Sequence, residues 1–188
     1  MKTRFCLFAL LFVLLVGNPV WAEEGWVSLF DGKTLNGWRA NENPDSFQVV
    51  DGAIYCDGPR CHLFYEGDVE DAKFKNFEFK ADVKTRPDSN SGIFIHTHFV
   101  EKGWPGQGYE VQVNNTHGKH GNYRENKKTG SLYGIRNVYK QLVPDNEWFT
   151  LYVKVVGKRV RIKINDILVV DYTEPPQPVR PGRTTDWV

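Results

Sequence analysis

Apolar and polar residues alternate with a period of two along several short segments of the chain. Residues 76–85, 148–155 and 160–164 show this pattern most clearly. A period of two is typical of a β-strand that buries one face. Asp51-Gly52 is a strong signal for a two-residue hairpin turn between two further strands. Many short strands at regular spacing predict an all-β fold, an antiparallel sandwich or jelly roll, and no segment of the mature chain predicts a helix.

The alternating positions also predict the core of this sandwich. Apolar residues on the shared face of each strand should point inward, and the charged residues between them should face solvent. We expect the buried set to be Phe77, Phe79, Ile93, Ile95, Val111, Val113, Leu151, Val153, Ile162 and Ile164.

Two strands, predicted at residues 93–98 and 108–113, carry an unusual set of polar side chains on one face. The polar face consists of His96, His98, Glu110, Gln112 and Asn114, together with Phe94. A wet face without any chemistry is common in antiparallel sheets, but two imidazoles opposite a carboxylate and a carboxamide are not. We therefore predict a functional cleft here, in which Glu110 and His96 converge on one open pocket.

The segment that follows, residues 115–129, is polar and charged and has no periodicity. This composition predicts a mobile loop over the cleft. We expect His117 and His120 within it to be free surface residues. The next three residues, 131–133, predict a short strand.

The first 22 residues have the features of a secretory signal peptide. Lys2 and Arg4 precede an apolar run from Phe5 to Val16, and small residues at positions 20 and 22 predict cleavage after Ala22. The apolar run is shorter than the about 20 residues that a membrane-spanning helix needs. We expect a single mature domain at residues 23–188, exported to the periplasm or the cell exterior, that does not enter the membrane.

Charge and aromatic content limit the partners that this domain would bind. The 24 basic and 23 acidic residues give a net charge of +1, so no overall field favours nucleic acid. Aromatic residues make up 14% of the chain and include six Trp, a content that suits both β-structure and sugar binding. The oligomeric state is not predicted.

Two cysteines remain after cleavage, Cys56 and Cys61, separated by Asp-Gly-Pro-Arg. Asp-Gly-Pro is typical of a tight turn, which would bring the two Cα atoms within disulfide range. In an oxidising compartment we expect a disulfide between them, and no neighbouring thiols or His pairs complete a metal site.

Six segments spread over the mature chain carry a family resemblance. They are SLFDGKTLNGW, KNFEFKADVKT, NSGIFIHTHF, GYEVQVNNTH, TGSLYG and EWFTLYVKVVGKRVRIKIND. Together, in this order and spacing, they resemble the 3-keto-disaccharide hydrolase family. The resemblance implies a concanavalin A-like jelly roll similar to that of glycoside hydrolase family 16.

The sequence departs from the family pattern in two places. Residues 118–127 are longer and more charged than the family's connection. The family also continues past Tyr172 into a final strand, whereas this sequence ends at Val188. We therefore expect a domain that is C-terminally truncated relative to the family and lacks its closing strand, with one sheet edge exposed.

The resemblance further implies a hydrolase or lyase that acts on glycosides with a ketone at C3. Such a ketone acidifies the C2 proton, so a general base can remove it and the enolate can expel the C1 substituent. We expect Glu110 to be this base or a metal ligand. His96 and His98 would bind a divalent cation with Glu110, or donate to the enolate. No cofactor other than a divalent metal is expected.

Several other residues are expected to bind the sugar. They are Asn90, His98, Trp104, Tyr109, Gln112, Asn114 and Tyr133. Alternation places Tyr109 on the core side, which is at odds with this role. The two-carboxylate mechanism of ordinary glycosidases is disfavoured, because Glu110 is the only acid on the open face of the two strands.

The alternative to an enzyme is a non-catalytic, lectin-like carbohydrate-binding module. The same fold hosts both classes, so fold alone does not decide. A divalent ion between His and Glu would favour the enzyme, whereas Ca²⁺ held by loop oxygens at the rim would favour a lectin.

Overall fold

The computed structural model describes residues 25–117, 119–120 and 123–178, and of residues 119 and 120 only the backbone. The signal peptide and the end of the chain, on which two predictions fall, lie outside the described residues. The strands are β1 (Trp38–Ala40), β2 (Phe47–Val50), β3 (Ala53–Cys56), β4 (Leu63–Tyr65), β5 (Phe77–Val83), β6 (Ser91–Ile95), β7 (Tyr109–Val113), β8 (Lys119–His120), β9 (Tyr123–Arg124), β10 (Phe149–Val156), β11 (Arg159–Ile164) and β12 (Ile167–Thr173).

The largest sheet has four antiparallel strands in the order β12-β11-β10-β5. Its inner face follows from alternation: Leu151 and Val153 pair with Ile164 and Ile162, and all four side chains are buried. Gly157 has a φ of +55° in the turn from β10 to β11, a conformation that glycine adopts without strain.

A second layer is built on the antiparallel pair β6 and β7, in which Ile93 faces Val111 and Phe94 faces Glu110. A third segment continues this layer, because Leu132 forms a β-bridge with Val111 and the Tyr133 N–H donates to the Glu110 carbonyl at 2.9 Å. The aliphatic face of this layer packs with the four-stranded sheet into one core. The predicted all-β sandwich of antiparallel strands is therefore confirmed.

The predicted core is confirmed for seven of its ten residues, which are Ile95, Val111, Val113, Leu151, Val153, Ile162 and Ile164. The other three, Phe77, Phe79 and Ile93, are only partly buried. Phe77 and Phe79 lie on β5, at the end of the strand order, where a neighbouring strand covers one side only.

The smaller sheets are hairpins and short pairs. Strands β2 and β3 form the predicted hairpin, with positive φ at both Asp51 and Gly52. The strand expected at residues 26–30 is not formed. In the described part of the chain, helical structure is limited to two 3-10 turns, Pro44–Ser46 and Val69–Ala72. No helix among these residues is long and apolar enough to cross a membrane.

The predicted disulfide is wrong for this structure, in which Cys56 and Cys61 are free thiols. Cys56 ends β3 as an exposed residue. The Sγ atom of Cys61 instead lies 3.7 Å from the side-chain oxygen of Asn41. The turn between the two cysteines is fixed by Ser46, whose backbone carbonyl accepts from Asp57 at 2.9 Å and whose hydroxyl donates to the Pro59 carbonyl at 3.3 Å.

Candidate active site

Glu110 lies at the centre of a polar face formed by three neighbouring strand segments. On one side, β6 places Phe94 opposite it, and on the other, the backbone of Tyr133 bonds to it. Glu110 is 8% exposed, so its carboxyl group is largely withdrawn from water. Its side chain lies across Gly92 of β6, where only the absence of a Cβ atom leaves space. The predicted position of Glu110 on the polar face is thus what the register of β6 and β7 produces.

A cluster of charged and phenolic groups lies next to Glu110 and was not predicted. The buried carboxylate of Glu125, 2% exposed, accepts hydrogen bonds from the Tyr133 hydroxyl at 2.7 Å and the Tyr123 hydroxyl at 2.5 Å. The Lys127 ammonium lies 3.3 Å from Glu125 and donates to the Tyr133 hydroxyl at 3.2 Å. The cluster therefore joins a second carboxylate, a cation and two phenols beside the predicted base.

The electrostatics of this cluster hold its groups in defined protonation states. Burial opposes ionisation of Glu125, but hydrogen bonds from Tyr123, the Lys127 N–H and Tyr133 outweigh it and lower the pKa of the carboxyl group. Burial and the neighbouring carboxylates Glu125 and Glu110 raise the pKa of the Tyr133 hydroxyl. At neutral pH the site thus holds an ionised Glu125 and a protonated Tyr133, which is able to donate a hydrogen bond.

The segment predicted as a mobile loop is packed where the structure describes it. Glu125, Lys128 and Thr129 are buried. Asn114 fixes the segment, because its side-chain amide donates to the carbonyls of Glu125 at 3.0 Å and Lys127 at 2.8 Å. Asn114 is itself fully buried, so the structure corrects its predicted role: it supports the loop and is closed to a sugar.

The two predicted imidazoles of this loop have different outcomes. Nδ1 of His117 lies 3.0 Å from the Lys128 ammonium, so His117 is not a free surface residue. The side chain of His120 lies outside the described residues. No periodicity in residues 115–129 indicated that they would be buried, and the only local signal was the density of potential hydrogen-bonding groups.

Gln112 and Asn90 meet on the polar face beside Glu110. The side-chain amide of Gln112 donates to the Asn90 side-chain oxygen at 2.8 Å. Gln112 is 1% exposed, and its own side-chain oxygen has no hydrogen-bond partner among the described residues. A buried acceptor left without a donor is rare in native proteins and is a suitable contact for a hydroxyl group.

His96 does not follow the polar face as predicted. Strand β6 ends at Ile95, and His96 has a φ of +53°, which takes it out of the two-residue alternation. Its Nε2 atom lies 3.0 Å from the Lys75 carbonyl, and its ring contacts the edge of Phe77, which packs against the core. His98 is exposed beyond the end of the strand.

The predicted metal ligands His96, His98 and Glu110 are accordingly not brought together. No three His, Cys, Asp or Glu side chains of the described residues lie close enough to hold a metal ion. The reason is local: the left-handed residue after β6 redirects the first imidazole, and the second lies outside the strand pair.

Tyr109 faces the opposite side of the sheet from Glu110, so its predicted contact with substrate is wrong. The residue is buried, its hydroxyl donates to the buried carboxylate of Glu174, and its ring contacts the edge of Tyr172. Alternation along β7 already placed it on the core side.

Trp104 remains accessible, with 56% of its surface exposed, as a sugar-stacking residue must be. Its ring contacts the edge of His62 at 5.0 Å between centroids, and His62 in turn contacts the edge of Phe94 at 5.4 Å. His62 was not predicted, because it precedes a short strand far from the central pair in sequence. Burial lowers the pKa of its imidazole, so the ring is neutral at neutral pH.

Comparison with known proteins supports the resemblance drawn from the six sequence segments. Residues 25–185 match the family model described as a 3-keto-alpha-glucoside-1,2-lyase-like domain. A 3-keto-disaccharide hydrolase of Bacteroides thetaiotaomicron is 31% identical over 174 aligned residues, covering 79% of this chain. The chain spans 59% of the length of that relative.

Solved structures share the fold. A crystal structure of a candidate glycosyl hydrolase from Parabacteroides distasonis is 27% identical, with a TM-score of 0.63, covering 78% of this chain and 70% of that one. A second candidate glycosyl hydrolase from the same organism has a TM-score of 0.57 with 72% of each chain covered. At 23% identity this second structure supports the fold alone.

Proposed function

We propose, since this chain belongs to the family of 3-keto-alpha-glucoside-1,2-lyase-like domains, that it cleaves glycosides whose sugar carries a ketone at C3. The observation that carries the proposal is the position of Glu110. A single carboxylate lies at the centre of the polar face, next to a cation and a phenol that can stabilise an oxyanion. Proton abstraction next to a carbonyl needs this combination of base and oxyanion stabiliser.

In this mechanism Glu110 removes the proton at C2, and the electrons of the C2–H bond form an enolate with the C3 ketone. Collapse of the enolate breaks the bond from C1 to the glycosidic oxygen, and the leaving group takes up a proton. The sugar product then has a double bond between C1 and C2. Addition of water to this bond gives net hydrolysis, and release of the unsaturated ketone is the lyase outcome, which product analysis distinguishes.

Tyr133 and Lys127 are placed to stabilise the negative charge on the C3 oxygen. The raised pKa of Tyr133 keeps its hydroxyl protonated and able to donate. Lys127 has three N–H donors, of which the described contacts use two, to Glu125 and to Tyr133. Gln112 and Asn90 would bind a sugar hydroxyl through the open acceptor of Gln112.

The predicted trio of metal ligands does not fit a cation, so no step is derived through a metal. Turnover should nevertheless be measured with and without a chelator. A loss that an added cation restores would assign the reaction to a metal held by groups other than His96, His98 and Glu110.

The test is to incubate the purified mature protein with a methyl 3-keto-glucoside and a 3-keto-disaccharide. Glu110→Gln keeps the shape of the side chain and removes the base, so turnover should fall by roughly 10²–10⁴. In deuterated water the wild type should exchange the C2 proton of the substrate, and Glu110→Gln should not. Glu147→Gln, an exposed residue in a distant loop, is the matched control. Equal turnover by Glu110→Gln and the wild type would refute this assignment.

A non-catalytic sugar-binding module is the second candidate, and the exposure of Trp104 favours it. Aromatic rings at a surface hold sugars in lectins and enzymes alike. Binding of unoxidised disaccharides, measured by titration, without turnover of either keto substrate would support this candidate instead of the enzyme.

Export to the periplasm or cell exterior belongs to the same proposal. It rests on the charged and apolar pattern of residues 2–16. Sequencing the amino terminus of protein recovered from those compartments should give Glu23 as the first residue. Recovery of the uncleaved chain from the cytoplasm alone would contradict export.

A further inference from the structure

The polar face around Glu110 has two flanks with opposite chemistry. On the Tyr133 side lie the hydrogen-bond donors of Tyr133 and Lys127. On the β6 side lies Phe94, followed by the rings of His62 and Trp104. Adjacent strands are about 4.8 Å apart, so each flank is within the width of a sugar ring from the carboxylate.

A 3-keto sugar has a matching order of atoms. The C2 proton that the base removes lies between C3, which carries the developing oxyanion, and C1, which carries the leaving group. With C2 over Glu110, the C3 oxygen requires donors, which Tyr133 and Lys127 supply. The C1 substituent must then extend over Phe94, in the opposite direction.

We infer that His62 and Trp104 form the binding subsite for the leaving group, and that this group is a second sugar ring. The inference rests on the proposed function and adds to it the orientation of the substrate and the residues that hold its C1 substituent. Indole rings present a flat apolar face to the C–H groups of a pyranose, whereas a small alcohol would not reach Trp104 beyond Phe94 and His62.

The structure fixes this subsite from below. The Glu42 carboxylate accepts hydrogen bonds from the Gly103 N–H at 3.2 Å and from Arg60 Nε at 2.8 Å, which ties the loop before Trp104 to the rest of the domain. The Arg60 guanidinium lies 6.0 Å from the centroid of the Trp104 ring. An exposed ring on an anchored loop is held ready for a ligand.

The experiment compares two substrates that share the keto ring and differ at C1, a 3-keto-disaccharide and a methyl 3-keto-glucoside. In Trp104→Ala, the ratio of kcat/KM for the disaccharide to that for the methyl glycoside should fall about tenfold, as expected when a large aromatic contact is removed. Trp148→Ala is the matched control, because Trp148 is equally exposed but contacts Lys84 elsewhere on the surface. An unchanged ratio in Trp104→Ala would overturn the subsite.

A second readout separates this inference from the proposed function. Both substrates are titrated into Glu110→Gln and into the double variant with Trp104→Ala, so that binding is measured without turnover. The disaccharide should lose about tenfold in affinity and the methyl glycoside much less. Equal losses overturn the subsite, whereas absence of turnover by the wild type overturns only the assigned reaction.

Discussion

The Cγ atom of Glu110 lies 2.7 Å from the position that a Cβ atom would take on Gly92. This distance is shorter than packed side-chain atoms tolerate, so the carboxylate occupies space that only glycine leaves open. The rotamer of the proposed base is therefore set by a residue on the neighbouring strand.

Gly92→Ala should displace Glu110 and lower kcat by about ten- to a hundredfold, because small misplacement of a reacting group is costly. Overpacking should also reduce the free energy of unfolding by about 1–3 kcal/mol. Kinetics and urea unfolding measure the two effects. Gly106→Ala is the control, since a Cβ atom there meets nothing within 4 Å. Activity of Gly92→Ala within twofold of the wild type would show that Glu110 is not constrained in this way.

Glu125→Gln tests whether the buried cluster positions Tyr133 for the reaction. Glu125 raises the pKa of the Tyr133 hydroxyl, after burial itself. The neutral amide should let this pKa fall, so the alkaline limb of the kcat profile should move to lower pH and kcat should fall at least about tenfold. Glu66→Gln, in an exposed pair with Arg39, should change neither. A lower kcat with an unshifted alkaline limb would indicate a purely structural role.

Stability should decrease on mild acidification because of two partly buried imidazoles. Burial lowers the pKa of both His62 and His96 below the ordinary value for histidine. The unfolded chain therefore binds protons at a higher pH than the folded protein, and the stability that is present above the ordinary pKa is lost as pH falls from there through the folded pKa.

Urea unfolding at about pH 7.5 and about pH 5.5 measures this loss as a change in the free energy of unfolding. His96→Gln should show a smaller loss between the two conditions than the wild type, whereas His98→Gln, at an exposed position, should match it. If His96→Gln and the wild type lose the same stability, the imidazole of His96 does not titrate as burial requires.

Local patterns in the sequence determined the strands and the centre of the site. Alternation at a period of two depends only on the geometry of the pleated backbone, so it placed Glu110 and Gln112 on one face of β7 and Val111 on the other. The same rule placed Tyr109 in the core. Asp51-Gly52 identified its hairpin because the turn conformation depends on these two residues.

Contacts between distant segments were decided by the tertiary structure alone. Glu174 is 65 residues from Tyr109, and the burial of Glu125 depends on strands that precede and follow its loop. A single left-handed φ turned His96 away from Glu110, and nothing in an alternating pattern marks such a residue in advance. Periodicity reports which face of a strand is buried, but it cannot report which side chains meet across the fold, because those distances arise only when the layers pack.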